Sequence, residues 1–355
     1  MTETLYRVGV IPGDGIGKEV VPHAQDVLDV VGSRFGFGFK WTRFDWSCEL
    51  YASTGSMTGG SAVAELAEFD AIFLGAVGYP GVADHVSLWG LLIPIRRQFR
   101  QCVNLRPVRL WPGVRTPLAD RVPADIDFVI VRENNEGEYS EIGGRLYEGT
   151  PGELAVQQSI FTREGVDRVL RYAFELARTR PERHLTAATK SNGIIHTMPF
   201  WDERFEMMAA AYPDVRTDKY HIDILVAHLV QHPDWFDVIV ASNLFGDILS
   251  DLGPAVAGSI GLAPGANLNI DRSKPSMFEP VHGSAPDIAG QGIANPIAQI
   301  LTGAMMLEHL GQSAAAATVE SAVEQVLGAE QIRTADLNGT ATTLEMTNAI
   351  VAALT

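Results

Sequence analysis

The chain has 355 residues and a formal net charge of −16, with 46% hydrophobic and 20% charged residues. This length allows two domains, or one domain with a large insertion, and the composition is typical of a soluble globular protein. The negative charge argues against a broad surface for nucleic acid or anionic membranes, and no apolar run reaches membrane-spanning length. Residues 1–4 show no secretory signal and there are two cysteines, so a cytoplasmic protein with reduced thiols is expected.

The first predicted elements are a strand at residues 6–12 and a helix at 18–31, joined by the glycine-rich turn 13–17. A dinucleotide-binding fingerprint needs glycine at its first, third and sixth positions, but the sixth position here is Lys18. Asp14 would also place a negative charge beside a pyrophosphate. We therefore favour a tight strand-to-helix turn that uses the conformational freedom of glycine.

Residues 37–44 predict a second strand, 62–69 a short helix, and 70–78 a buried strand that runs into another glycine-rich turn. This alternation of strands and helices indicates an α/β layered fold.

A basic cluster follows in this acidic chain. Residues 88–101 predict a helix that Pro94 interrupts, and residues 103–108 predict an extended segment. The cluster comprises Arg96, Arg97, Arg100 and Arg106. Surface arginines are usually solvated, but arginine also pairs with a planar carboxylate through two parallel hydrogen bonds. A solvated face and a carboxylate clamp both remain open.

The central region predicts strands at 127–131 and 184–189 that end at Arg132 and Lys190, respectively. In α/β enzymes, site residues follow the carboxyl ends of strands. Tyr139 comes soon after Arg132, although a lone tyrosine is more often a packing residue. Helices are predicted at 166–179, 198–211 and 221–230.

Acidic residues form a second candidate cluster. A strand at 236–241 precedes a helix in which Asp247 and Asp251 are four residues apart and therefore share one face. An apolar stripe beside them predicts a partly buried pair, which is costly unless a cation lies between the carboxylates. Oxygen ligands favour Mg²⁺ or Mn²⁺ over zinc, but two solvated aspartates remain the alternative. Asp223, which breaks the apolar face of helix 221–230, is a further candidate ligand.

The carboxyl-terminal third predicts a crossing between domains at 253–269, which is rich in glycine, alanine and proline. The loop 278–290 offers backbone amides, small side chains and one carboxylate, which suit a nucleotide, or it is an ordinary surface loop. Pro296 fits the first turn of a helix. Helices are predicted at 297–310, 314–327 and 342–354.

Five blocks in this order resemble the β-decarboxylating dehydrogenases of the isocitrate and isopropylmalate dehydrogenase family. The blocks are residues 104–107, 131–134, 189–192, 245–251 and 282–287. The resemblance extends from residues 11–17 to 293–296, and residues 87–90 and 191–193 are most similar to the members that act on tartrate and D-malate. It implies an α/β, two-domain fold with a large mixed sheet. Residues 1–102 and 257–355 would form the cofactor-binding domain, and residues 103–256 the domain for substrate, metal and dimerisation.

The same resemblance implies roles for individual residues. The substrate carboxylates would be bound by Arg96, Arg106 and Arg132, with Ser87 as a further substrate contact. The divalent metal would be bound by Asp223, Asp247 and Asp251. Lys190 would be the base, or its partner, that removes the C2 hydroxyl proton, and Tyr139 the acid that protonates the enol carbon after CO₂ leaves. Lys190 and Asp223 would reach into the neighbouring subunit's site, so the resemblance implies a homodimer with shared active sites.

The cofactor would lie on segment 279–295 rather than on the glycine turn. Its implied contacts are Glu279, His282, Gly283, Ser284, Ala285, Asp287 and Asn295. Asp287 can accept both ribose hydroxyls of NAD and would repel the 2′-phosphate of NADP, so NAD is expected. Mg²⁺ or Mn²⁺ is the expected divalent ion, and K⁺ is a further candidate.

The expected function is NAD- and metal-dependent oxidation, with oxidative decarboxylation, of small (2R)-hydroxy acids such as D-malate and tartrate. The runner-up is isopropylmalate dehydrogenase, because the apolar residues at 88–92 do not exclude a branched substrate, whereas Pro94 departs from that pattern. A metal-dependent keto-acid decarboxylase is an alternative from another class, and it would not need Asp287. A non-catalytic binding protein should have lost Lys190 or Tyr139.

Overall fold

The structure, a computed structural model, describes residues 4–354. Within this range the strands are β1 (Thr4–Gly13), β2 (Phe37–Arg43), β3 (Ala71–Ala76), β4 (Val103–Arg109), β5 (Asp127–Glu133), β6 (Gly143–Leu146), β7 (Leu154–Gln157), β8 (His184–Thr189), β9 (Arg216–His221), β10 (Val238–Ala241), β11 (Ala266–Leu268) and β12 (Ser276–Phe278). The helices are α1 (Gly17–Phe35), α2 (Cys48–Thr54), α3 (Asp84–Ser87), α4 (Ile93–Gln98), α5 (Arg163–Thr179), α6 (Thr197–Ala209), α7 (Ile222–Gln231), α8 (Asn243–Ala257), α9 (Ile297–His309), α10 (Ser313–Ala329) and α11 (Thr343–Ala353).

One mixed sheet of ten strands forms the centre of the molecule, in the order β2-β1-β3-β12-β11-β4-β5-β10-β8-β9. The outer strands run parallel to their neighbours, whereas β12, β11, β4 and β5 pair antiparallel in the middle. The five strands from residues 1–102 and 257–355 occupy one half, and the five from 103–256 occupy the other. This order confirms the predicted α/β fold with a large mixed sheet. It also supports the predicted domain division, which stays a prediction.

Helix α5 shows how local sequence produces the layers that cover the sheet. Its buried residues recur three and four apart, from Val166 to Ala177, so one face packs on the sheet while the other meets solvent. Thr162 ends the preceding loop, and its hydroxyl accepts a hydrogen bond from the Gly165 N–H at 3.0 Å, which caps the helix. With helices covering the sheet, polar side chains gather where strands end. Across residues 4–354, every helix is too short or too polar to cross a bilayer.

The segment around Pro94 differs from the expectation, because the helix is not interrupted there. Helices α3 and α4 are joined by a π-helical turn, Leu88–Leu92, in which the Ile93 N–H donates to the Leu88 carbonyl. Pro94 then lies in the first turn of α4, where its missing N–H needs no partner.

Three further elements differ from the sequence predictions. Helix α8 continues to Ala257, so residues 253–257 are helical and do not belong to a crossing. A Cβ atom on Gly253 would lie 2.5 Å from Val108 Cγ2, so this glycine permits close helix-to-strand packing rather than ending the helix. Strand β9 precedes α7, and the exposed hairpin β6–β7 has no counterpart among the predictions. The hairpin strands face no core, and hydrophobic periodicity therefore gives them no signal.

The glycine turn 13–17 holds a buried carboxylate. Asp14 is fully buried, and its side chain accepts hydrogen bonds from the backbone N–H groups of Cys48 at 2.8 Å, Glu49 at 2.9 Å and Gly78 at 3.1 Å. Two of these donors open helix α2, where a negative charge is favourable. Asp14 therefore joins β1, α2 and the end of β3, which agrees with the interpretation of a structural turn.

We expect Asp14→Ala to lower the free energy of unfolding by about 3 kcal/mol, because three buried amides lose a charged acceptor. Urea denaturation of the variant and the wild type measures this change. Asp45→Ala is the matched control, because Asp45 is highly exposed and pairs only with Arg43 at the surface. Equal losses in both variants would contradict the structural role of Asp14.

Candidate active site

A cleft of about 250 Å³ lies where the two halves of the sheet meet. Its walls come from the π-helical turn and α4 on one side, and from the ends of β5 and the start of α8 on the other. The lining residues are Leu88, Ile93, Arg96, Arg97, Arg132, Asn134, Asn135, Tyr139 and Asn243. Strand ends and a helix start therefore converge on one small polar space, as the sequence predicted.

Arg96 contributes a buried guanidinium to this cleft. It is 7% exposed, and its Nη2 donates to Glu279 Oε1 at 2.7 Å. Asn267 Nδ2 donates to the same carboxylate oxygen at 2.8 Å. Burial alone would raise the pKa of Glu279, but the charges of Arg96 and Arg106 outweigh it and hold that pKa below its ordinary value. Within residues 4–354, the buried Nε of Arg96 has no hydrogen-bond partner, so it can still donate to a ligand.

Arg106 and Arg132 are buried beside Arg96 and are held by amide oxygens. Arg106 Nε donates to Asn104 Oδ1 at 2.6 Å. Arg132 donates through Nε at 3.1 Å and Nη2 at 2.7 Å to the side-chain oxygen of Asn243.

Burial lowers the pKa of Arg106 to about 10 and also lowers the pKa of Arg132, and neighbouring guanidinium charges add to both shifts. Each shift records the cost of holding like charges together out of water. A ligand with several carboxylates would relieve that cost.

Tyr139 lies on the same side of the cleft as Arg132. Its hydroxyl donates to Asp247 Oδ2 at 2.7 Å, and the Arg132 guanidinium carbon lies 5.5 Å from the ring centroid. Burial and then the bond to Asp247 raise the pKa of Tyr139 to about 12. The phenol is therefore protonated at neutral pH and available as a proton donor.

Asp247 and Asp251 share one face of α8, as their spacing predicted. Arg132 Nη1 also forms an ion pair with Asp247. Burial, and next the charge of Asp247, raise the pKa of Asp251 above its ordinary value. A divalent cation between two such carboxylates would remove their repulsion, so the pair fits Mg²⁺ or Mn²⁺ chemically.

Lys190 and Asp223 form a separate pair at the ends of β8 and β9. Lys190 Nζ donates to Asp223 Oδ1 at 2.6 Å, and this bond lowers the pKa of Asp223. The Asp223 side chain is 66% exposed. Within residues 4–354 of one chain, no three acidic, histidine or cysteine side chains lie close enough to share a metal ion. The three predicted metal ligands therefore do not come together in a single chain.

Segment 279–295 packs directly on the glycine turn. The Ile16 N–H donates to the Ser284 carbonyl at 2.9 Å. Gly15 has a φ of +52°, and a Cβ atom there would lie 2.0 Å from the Ser284 carbonyl oxygen. Only glycine permits this approach. The turn thus positions the predicted cofactor segment instead of offering its own amides to a pyrophosphate.

His282 and Asp287 supply polar groups on this segment. His282 is buried, its Nδ1 lies 3.0 Å from the Gly283 carbonyl, and its Nε2 has no partner within the described chain. Burial lowers the pKa of His282, so the ring is neutral. Asp287 is exposed, and Ala285 adopts a left-handed φ of +40°. An unpaired buried ring nitrogen beside an open carboxylate fits a nucleotide ligand.

The far end of the segment is anchored by two carboxylates. Asn295 Nδ2 donates to Asp336 Oδ2 at 3.0 Å. The Gly292 N–H donates to Glu19 Oε2 at 3.0 Å, and the Gly290 N–H donates to the other oxygen of Glu19. These anchors fix the segment in the absence of a ligand.

Not every candidate residue enters the cleft. Ser87 is adjacent to Leu88, but its hydroxyl donates to the Asp84 carbonyl at 2.9 Å in its own helix. Arg100 points to α5, where it pairs with Glu164 at 3.2 Å. Of the basic cluster, Arg96 and Arg106 join Arg132, so the clamp interpretation applies to those two.

Sequence reasoning missed the amides that support the clamp: Asn104, Asn243 and Asn267. Asn104 lies two residues before Arg106 in β4, and alternation along a strand places both on one face. Asn243 is one helical turn before Asp247. Both signals were present in the motifs, but an amide acquires its role only when a charged partner lies opposite.

Known proteins with this arrangement can be compared along nearly the full chain. The model of the isocitrate/isopropylmalate dehydrogenase family matches residues 7–350. The chain belongs to this family. It is 57% identical over 351 residues to the D-malate dehydrogenase [decarboxylating] of Escherichia coli K12, covering 97% of each chain. It is 54% identical over 353 residues to the tartrate dehydrogenase/decarboxylase of Pseudomonas putida, covering 97% of this chain and 96% of that protein.

A solved structure of the same family extends this likeness to the fold. The isocitrate dehydrogenase from Methylococcus capsulatus has a TM-score of 0.88 and 33% sequence identity, over 98% of this chain and 99% of that one. The resemblance drawn from the five sequence blocks is thereby confirmed.

Glu133, which follows the clamp residue Arg132, generates a pH prediction. It is 1% exposed, and burial raises its pKa from 4.5 to about 7, despite hydrogen bonds from the N–H groups of Asn135 and Glu136. Its stabilising contribution is complete below the unfolded pKa and is lost as pH rises through the folded pKa, a change of about 3 kcal/mol.

We expect Glu133→Gln to remove this dependence. Between about pH 5 and about pH 8, its free energy of unfolding should gain on the wild type by up to about 3 kcal/mol. Urea denaturation of both proteins across that range is the measurement. A difference that stays constant with pH would show that Glu133 titrates normally.

Proposed function

We propose that this protein catalyses the NAD- and divalent-metal-dependent oxidation and oxidative decarboxylation of small (2R)-hydroxy acids such as D-malate and tartrate. The observation that carries the proposal is the convergence of three buried arginines on one small cleft beside a protonated tyrosine and an aspartate pair. The chain is a dehydrogenase of its family, and its similar relatives are named for D-malate and tartrate. These names favour the proposal over isopropylmalate as substrate.

The chain's own residues support a division of labour. Arg96, Arg106 and Arg132 bind and orient the substrate carboxylates through bidentate hydrogen bonds. Lys190 serves the C2 hydroxyl proton, either as the base or as its partner. Tyr139 holds the proton that the enol carbon receives after CO₂ leaves. When bound, NAD would accept the hydride from C2, and Mg²⁺ or Mn²⁺ on Asp223, Asp247 and Asp251 would supply Lewis-acid stabilisation of developing negative charge.

The expected cofactor is NAD rather than NADP. Asp287 is an exposed carboxylate on the anchored segment, and it would repel a 2′-phosphate. The unpaired Nε2 of His282 and the side chains of Ser284, Glu279 and Asn295 are the proposed further contacts, with Gly283 and Ala285 allowing close approach of the backbone. K⁺ remains a candidate activator.

We propose that the active unit is a homodimer with shared sites. The pair Lys190–Asp223 is separate from the α8 aspartates within one chain, so a complete metal site needs a second copy. Helices α7 and α8 pack on each other and carry the exposed apolar residues Ile224 and Ile248, at 44% and 47% exposure. Exposed apolar side chains of this kind suit a subunit interface.

The activity itself is tested by NADH absorbance with D-malate, the tartrates and isopropylmalate, with and without Mn²⁺. We expect NADH from D-malate or a tartrate only when the metal is present, and little reduction of NADP. Turnover of isopropylmalate alone would overturn the substrate assignment. Decarboxylation of oxaloacetate without any hydroxy-acid oxidation would favour the lyase alternative.

Tyr139→Phe should slow the decarboxylation of oxaloacetate by about 100-fold, because a positioned general acid is lost, while NADH formation falls much less. The phenyl ring keeps its packing against Arg132, so folding is preserved. Steady-state rates of the two half-reactions are the measurement. Equal decarboxylation by wild type and variant would remove Tyr139 from this role.

Shared sites predict complementation between two inactive variants, Lys190→Met and Asp247→Asn. Each mixed dimer has one site with both residues intact, so a randomly assorted equal mixture should recover about one quarter of wild-type activity. The measurement is NADH formation after the two variants are unfolded and refolded together, and each variant refolded alone is the control. A mixture no more active than its components would indicate sites built from one chain.

A further inference from the structure

Arg97 adjoins the clamp residue Arg96 but makes a different set of contacts. Its Nη1 donates to Glu141 Oε2 at 2.7 Å, and its Nη2 donates to the backbone carbonyl of Tyr139 at 3.1 Å. Its guanidinium carbon lies 5.1 Å from the centroid of the Trp89 ring. Consecutive residues on a helix point about 100° apart, so Arg96 turns to the buried clamp while Arg97 faces the Tyr139 loop.

These contacts join the two halves of the molecule across the cleft. Trp89 and Arg97 belong to the half built from residues 1–102, whereas Tyr139 and Glu141 follow β5 in the other half. Tyr139 is thus held at two points. Its carbonyl accepts from Arg97, and its hydroxyl donates to Asp247 at 2.7 Å.

The contact with Trp89 links Arg97 to the wall that meets the substrate. Trp89 lies in the π-helical turn Leu88–Leu92, and π-helical turns occur frequently at functional sites. Leu88 from this turn, and Ile93 directly after it, line the cleft. A shift of this wall would reach the backbone of Tyr139 through a single side chain.

We propose that Arg97 is a positioning residue that holds Tyr139 in place from the opposite wall of the cleft and thereby sets the rate of the protonation that follows decarboxylation. The proposal rests on the role of Tyr139 in the proposed function. No bond to Arg97 forms or breaks in the reaction. Its effect arises because the donor oxygen must lie close to the carbon that it protonates.

The chemistry of arginine suits this role. A planar guanidinium donates in two directions while its face lies over an aromatic ring. Lysine offers one charged nitrogen and cannot reproduce that fixed fork. The ion pair with Glu141 is itself exposed, with 33% of the Arg97 side chain and 69% of the Glu141 side chain accessible, so it adds little to global stability.

The test compares Arg97→Met, Arg97→Lys and the matched control Arg100→Met. Arg100 also pairs with the opposite half, through Glu164, but does not contact the Tyr139 loop. We expect Arg97→Met to lower kcat for oxaloacetate decarboxylation about tenfold with KM within about twofold, after subtraction of the rate with Mn²⁺ alone. Arg97→Lys should recover part of this loss. Arg100→Met should stay within about twofold of wild type, and all three should keep the wild-type thermal midpoint within about 2 °C.

A double variant identifies the residue through which Arg97 acts. Arg97→Met combined with Tyr139→Phe should be no slower in decarboxylation than Tyr139→Phe alone, because residues that act as a unit are not additive. Independent, multiplying effects would overturn the proposal, as would equal rates for Arg97→Met and Arg100→Met.

The outcomes also separate this proposal from the proposed function. If Tyr139→Phe slows decarboxylation but Arg97→Met does not, only the positioning role of Arg97 is overturned. If Tyr139→Phe has no effect, the assignment of the tyrosine fails, and the role of Arg97 fails with it.

Discussion

Three guanidinium groups held together out of water are the constraint on which this cleft depends. Arg96, Arg106 and Arg132 are each 7% exposed or less, and their mutual repulsion is felt as lowered pKa values in Arg106 and Arg132. Glu279 and Asp247 supply the nearest opposite charges. A site of this kind is costly to build and selects for a ligand that brings several negative charges.

The compensating groups come from both halves of the chain, and this ties the cleft to the sheet. Glu279 follows β12 in one half, while Asp247 lies on α8 in the other. Asn104 and Asn267 meet where β4 pairs with β11, at the boundary between the halves, and they bond to each other at 2.8 Å. The arrangement of the two halves and the electrostatics of the clamp are therefore set by the same contacts.

The segment proposed to bind the cofactor is ordered by the protein alone. Gly15 packs on Ser284, Glu19 accepts from the backbone at Gly292, and Asp336 accepts from Asn295. A ligand that meets a segment already fixed at both ends loses little affinity to ordering it. The glycine turn thus contributes to the site indirectly, by allowing the close approach that holds the segment.

The sequence by itself determined the layered fold, most strand and helix positions, and the placement of Arg132 and Lys190 at strand ends, because periodicity and turn chemistry act over a few residues. It also determined that Asp247 and Asp251 share a helix face. Only the tertiary structure decided that Asn104 and Asn243 hold the clamp, that Glu279 pairs with Arg96, and that Asp223 pairs with Lys190 away from the α8 aspartates. It also decided that a π-helical turn absorbs Pro94. Those outcomes depend on which charges meet across distant segments, and the energy of a charge is fixed by its burial and its partners rather than by its neighbours in the chain.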